Sequence, residues 1–150
     1  MFYFALNTYI HLLAIVTVFC CLVAELILLK DKVSYATIDR LSKIDGLYGL
    51  AAIIVVATGL LNWMKLGKGY EYYAANSLFI IKFGLFIVVG LLSLYPTILF
   101  LRHKKRSKQQ KPETIHLPQF GSIRSVIILE LVIMGSIPFL AVLMANGIGF

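Results

Sequence analysis

Residues Phe2–Leu29 form an almost unbroken apolar stretch of 28 residues. A hydrocarbon core about 30 Å thick needs roughly 20 apolar residues in a helix, so this stretch is long enough to cross a membrane. It nevertheless holds two groups that lipid rejects, His11 and Glu25. Asn7, His11, Ala14, Val18, Cys21 and Glu25 follow steps of three and four, which sets them on one helix face. From His11 to Glu25 that face runs about 21 Å. Other spans must cover it, and any chemistry the chain performs is expected along it.

Composition supports the same solvent. Of 150 residues, 60% are hydrophobic and 14% charged, and the mean hydropathy is +0.90. A soluble domain carries near half apolar and a quarter charged residues. The N-terminal run has no basic leader and no small-x-small cleavage site after it, so it is expected to be retained. Cys20 and Cys21 are adjacent, about 100° apart on a helix, and too poorly placed for a mutual disulfide.

Four apolar runs are predicted as spans: Phe2–Leu29, Gly46–Met64, Leu78–Leu101 and Val126–Ile148. Short connections make consecutive spans antiparallel neighbours, so the expected fold is all-α, one integral membrane four-helix bundle over residues 1–150. Eleven of the 14 basic residues fall in the first and third connections, Lys30–Asp45 and Arg102–Arg124. Basic loops stay cytoplasmic, so both termini are expected on the periplasmic side. The third connection, with Pro112 and Pro118, reads as a flexible basic hairpin against anionic lipid. The second, with Trp63, Tyr70, Tyr72 and Tyr73 and the turn glycines Gly67 and Gly69, reads as an interfacial aromatic belt. The excess of Lys and Arg is thus an orientation signal, and no nucleic-acid partner is expected. The partner is the lipid bilayer, and a homo-oligomer is compatible with small residues such as Gly49, Ala52, Gly59, Gly84, Gly90 and Gly135.

Depth divides the polar groups of the spans into two sets. Toward the termini lie Asn7, His11, Asn62, Lys82 and Asn146. Toward the basic loops lie Glu25, Arg40, Asp45, Tyr48, Arg124 and Glu130. Ionisable residues inside a span are functional candidates by default. Lys82 either snorkels to the surface or holds an anion inside the bundle. No Asp or Glu stands at its depth, which leaves room for a ligand carboxylate. His11 either hydrogen-bonds a neighbouring helix or ligates a metal, haem iron being a usual partner of imidazole. Met144 is then the one soft candidate for a second axial position. In the other set, Glu25 and Glu130 are expected to pair with Arg40 or Arg124 in an ion-pair clasp, or to relay protons.

The chain resembles a bacterial family of small membrane proteins, the domain-of-unknown-function-2214 group. The matching stretches are Tyr9-Ile-His11-Leu-Leu-Ala14, Val23-Ala-Glu25-Leu26, Asp45-Gly-Leu-Tyr48-Gly49, Ala57-Thr-Gly59, Asn76 through Lys82, Tyr95-Pro96-Thr97 and Met144-Ala-Asn-Gly147-Ile-Gly149. The order of elements is also similar to HemJ-type protoporphyrinogen oxidases and, more distantly, to CopD-like membrane domains. HemJ-type proteins carry a histidine in the first span and a lysine early in the third; His11 and Lys82 fall on those positions, and Glu130 on an acidic position of the fourth. Ser93, Tyr95 and Pro96 replace a histidine and aromatic cluster of that family, and Leu129-Glu130-Leu131-Val132 replaces its Asn-Glu-x-Pro. This resemblance implies a b-type haem or porphyrin site in a bacterial inner-membrane protein, a redox protein and an oxidoreductase if it is an enzyme. His11 would be the metal ligand, and Lys82, Asn7, Asn62 and Met144 would complete the pocket. A CopD-like role in metal-ion or solute transport and a non-catalytic scaffold are the alternatives.

Overall fold

The computed structural model describes residues 1–66, 71, 75–110, 115, 116 and 119–149. Four long helices dominate: α1 (Phe2–Leu28), α2 (Tyr35–Leu61), α3 (Ser77–Gln110) and α4 (Phe120–Ala145). The chain continues from α2 through one wider, π-helical stretch, Asn62–Leu66. All four helices are long and apolar enough to span a membrane. Their outward faces are studded with exposed Leu, Ile, Val and Phe, among them Ile27, Ile53, Ile80 and Val132. In water such a surface would associate; in lipid it is solvated.

Helix α1 packs along α2, and α3 along α4; the two pairs meet through α2 with α3 and α1 with α4. The result is an antiparallel four-helix bundle with both termini at one end, the terminal end. The opposite end, bearing most of the cations, is the basic end. The core is concentrated toward the latter: Val18, Leu22, Ile38, Leu41, Val89, Phe100, Ile123 and Ile127 are all buried. Toward the terminal end the packing thins. Neither the first turns of α3 (77–88) nor the last of α4 (135–145) bury a single residue.

Helix ends differ from the hydropathy pattern. Helix α2 begins at Tyr35, not near Gly46, because Ser34 caps it, accepting from the Thr37 amide at 3.2 Å. Its first turns are held by buried Ile38 and Leu41. Likewise α3 continues through Arg102 to Gln110, so the first nine residues of the expected basic hairpin are helix. Helix α4 starts at Phe120 rather than Val126. A hydropathy run ends where lipid ends, whereas a helix ends where its capping and packing end. Two short strands, β1 (Lys32–Val33) and β2 (Ile115–His116), pair antiparallel across the basic end, with Lys32 opposite His116. Asp39 adds a bridge from α2 to α3 through Lys104 at 3.0 Å and also holds Lys43 at 2.7 Å. Tyr70, Tyr72, Tyr73, Gly67, Gly69, Pro112 and Pro118 lie outside the described residues.

The terminal end is tied by a clasp that the hydropathy pattern does not reveal. Asn76, fully buried, caps α3 by accepting from the Leu78 and Phe79 amides at 3.0 and 3.3 Å. Its amide donates to the Ile148 carbonyl at 3.1 Å, and the Ser77 amide donates to Gly149 O at 2.9 Å. Gly149 has a positive φ of 101°, and a Cβ there would stand 2.7 Å from Leu78 Cγ. Asn76→Ala is therefore expected to lower stability by about 1–2 kcal/mol, read as a lower unfolding midpoint in detergent; an unchanged midpoint would show the clasp to be dispensable.

Candidate functional site

The terminal-end site starts with Asn7, the one buried residue in the first three turns of α1. Its amide donates to Thr58 O and to Asn62 Oδ1, each at 2.9 Å. One turn on, His11 Nδ1 lies 2.8 Å from Thr58 Oγ1. The partner atoms fix the tautomer. Thr58 Oγ1 stands 2.6 Å from the Ile54 carbonyl, a distance that only a shared proton permits. A hydroxyl has one proton to give, so toward His11 the same oxygen accepts. His11 Nδ1 therefore carries a proton, and the ring is also within hydrogen-bonding reach of the Val55 backbone. The imidazole lies on Gly59: a Cβ there would stand 3.4 Å from His11 Cε1.

Lys82 reaches this region from α3, close enough to His11 for their charges to interact. It is half-buried. Its Nζ sits 5.3 Å from the centre of the Phe79 ring, and no carboxylate pairs with it among the described residues. Trp63 packs against Phe79 and Phe83 with ring centres 5.4 and 6.4 Å away, giving an aromatic wall between the end of α2 and the start of α3. Asn7, His11, Asn62 and Lys82 thus share one end of the bundle. Met144 is half-buried on α4 and has no polar or ring contact with the others. Asn146 is exposed and turns back onto its own helix, donating to Val142 O at 2.9 Å. Thr58 escaped the sequence reading, which followed the stripe through Gly59 and Asn62. The available signal was a hydroxyl four residues before Asn62, beside a glycine.

A second polar cluster lies in the basic half. Glu25 of α1, Asp45 and Tyr48 of α2, and Glu130 of α4 are all buried and within electrostatic range of one another. Helix α3 adds two hydroxyls. Thr97 Oγ1 lies 2.7 Å from Asp45 Oδ1, and Ser93 is in hydrogen-bonding reach of the Tyr48 hydroxyl. The expected ion-pair clasp is not formed. Arg40 and Arg124 are exposed and pair with none of these carboxyls among the described residues. Their sequence positions match the carboxylates in depth but not in direction around the helix, and long cations reach water more cheaply than they desolvate. The face between the two clusters, Ala14 and Val18 with Ala51 and Val55, is apolar and buried, so no polar track joins them among the described residues.

The family model described as Predicted membrane protein (DUF2214) matches residues 4–149, nearly the whole chain. No curated protein and no solved structure matches it.

Gly59 sets how closely His11 approaches α2. Gly59→Ala is expected to be tolerated, since the added carbon meets the ring at contact distance. Gly59→Leu is expected to displace the imidazole and lower stability by about 1–3 kcal/mol, visible in thermal unfolding; equal midpoints for the two variants would place the ring elsewhere.

Proposed function

The chain belongs to the DUF2214 family of predicted membrane proteins, and we propose that it binds b-type haem or a related porphyrin in the terminal half of its bundle, as a redox protein. The observation that carries this reading is His11, tied to α2 through Nδ1 and Thr58 Oγ1. Metal-ligating histidines characteristically donate their other ring nitrogen to an oxygen that fixes the ring. Thr58 supplies that oxygen.

Several features support a porphyrin over a bare ion. Metal-holding groups of three or more His, Cys, Asp or Glu are absent among the described residues, so His11 alone offers one bond, and a macrocycle supplies the rest. Lys82, a half-buried cation without a protein carboxylate, is suited to a propionate. The thinly packed turns of α3 and α4 at this end and the aromatic wall of Trp63, Phe79 and Phe83 suit a large flat apolar ligand. In this reading His11 would hold the iron, Lys82 would pair with the acid edge, Asn7 and Asn62 would brace α1 against α2, and Met144 would be a further candidate ligand. An iron porphyrin, when bound, would supply one-electron chemistry; the chain would supply a ligating nitrogen, the counter-charge and the exclusion of water. The basic end faces the cytoplasm of a bacterial inner membrane in this reading, following the distribution of Lys and Arg.

Detergent-purified protein titrated with haem is expected to develop a sharp Soret band at one equivalent. His11→Ala is expected to abolish it, and Thr58→Val to weaken binding about 10–100-fold, as for other partners of ligating histidines. Stoichiometric haem retained by His11→Ala would overturn the ligand assignment.

A further inference from the structure

The basic-half cluster stands apart from the proposed haem site and poses its own problem of charge. Glu25 and Glu130 are only 1% and 0% exposed. Glu25 Oε1 and both carboxyl oxygens of Glu130 have no hydrogen-bond partner among the described residues. Two unpaired carboxylates facing a third in a bundle core would be among the most costly arrangements a protein can hold. Something neutralises them.

Counting protons around the cluster shows what is missing. Ser93 gives its hydroxyl proton to Gly90 O at 2.8 Å, so from Tyr48 it can only accept. The Tyr48 proton is thereby committed. Thr97 Oγ1 lies 2.8 Å from Ser93 O and 2.7 Å from Asp45 Oδ1. It has one proton for these two contacts. Both partners are acceptors: the Thr97 hydroxyl donates toward Ser93 O and Asp45 Oδ1 and has nothing to give the glutamates. No hydroxyl proton is left for Glu25 or Glu130. The groups facing the cluster are Cys21 and Glu25 from α1, Asp45 and Tyr48 from α2, Ser93 and Thr97 from α3, and Glu130 from α4. No Lys, Arg or His pairs with any of them among the described residues. The carboxyls also form no metal-holding group there.

We infer that Glu25, Asp45 and Glu130 form a proton-binding cluster, in which carboxylates take up protons from water and return them, with no ion-pair partner. Its location defines its exchange side. Glu25 lies one turn from the end of α1, while the apolar layer of Ala14, Val18, Ala51 and Val55 closes the way toward His11. Protons therefore enter and leave at the basic end.

Infrared spectroscopy of haem-free protein in nanodiscs tests this. The expected result is a carbonyl stretch of protonated carboxyl at neutral pH that declines as pH is raised. Glu130→Gln and Glu25→Gln are each expected to lose part of it. Sodium and potassium salts are expected to give the same spectrum. Carboxylate bands alone at neutral pH, or carboxylate bands that shift between the two salts, would overturn the proposal, the latter by revealing a bound cation. The wild-type spectrum decides even where a variant fails to fold. His11→Ala is expected to leave the band intact, so the outcome is independent of haem binding.

Discussion

Everything in this bundle follows from the absence of water as a hydrogen-bonding partner. A polar side chain that enters hydrocarbon must find its partner on a neighbouring helix. Asn7 does so twice on α2, through Thr58 O and Asn62 Oδ1, and His11 does so through Thr58 Oγ1. These bonds fix the register of α1 against α2 more sharply than Leu and Val packing does, since a slip of one residue would strand two donors. Pro96 and Pro138 each remove one backbone donor from a helix, and the hydroxyls beside them bond carbonyls of their own helices: Ser93 to Gly90 O, Thr97 to Ser93 O and Ser136 to Ile133 O.

Much of this was legible in the sequence because depth and helical phase are both periodic. The stripe Asn7, His11, Ala14, Val18, Cys21, Glu25 names six residues, of which all but His11 are buried, and His11 is half-buried. Four spans and their antiparallel order were equally plain. Three features were not. The helix ends at Tyr35 and Gln110 depend on a serine cap and on packing beyond the lipid, which hydropathy does not register. The β1–β2 pair involves two residues from each strand, too few to show a period. The partners of Glu25 and Glu130 were misread because sequence gives depth along the axis, while pairing also needs a shared direction around it. Arg40 and Arg124 share the depth alone.

The two ends of the molecule solve the problem of buried charge differently. At the basic end the core is tight, and the carboxyls sit in it without cations. At the terminal end the α1–α2 seam is tight, but the first turns of α3 and the last of α4 bury nothing, and Lys82 stands near His11 with no carboxylate partner among the described residues. The two polar clusters are stacked about four helical turns apart, separated by an apolar layer.

The central claim is that looseness is confined to the terminal half, where a ligand completes the packing. Pulsed electron-spin resonance measures it directly, with labels on a background in which Cys20 and Cys21 are alanine. One pair, at Leu6 of α1 and Ile80 of α3, reports the terminal half; another, at Ile27 and Leu101, reports the basic half, all four positions being exposed. The account predicts a broad distance distribution for the first pair that narrows when haem is added, and a narrow one for the second that haem does not change. Equal widths at the two ends, indifferent to haem, would contradict it.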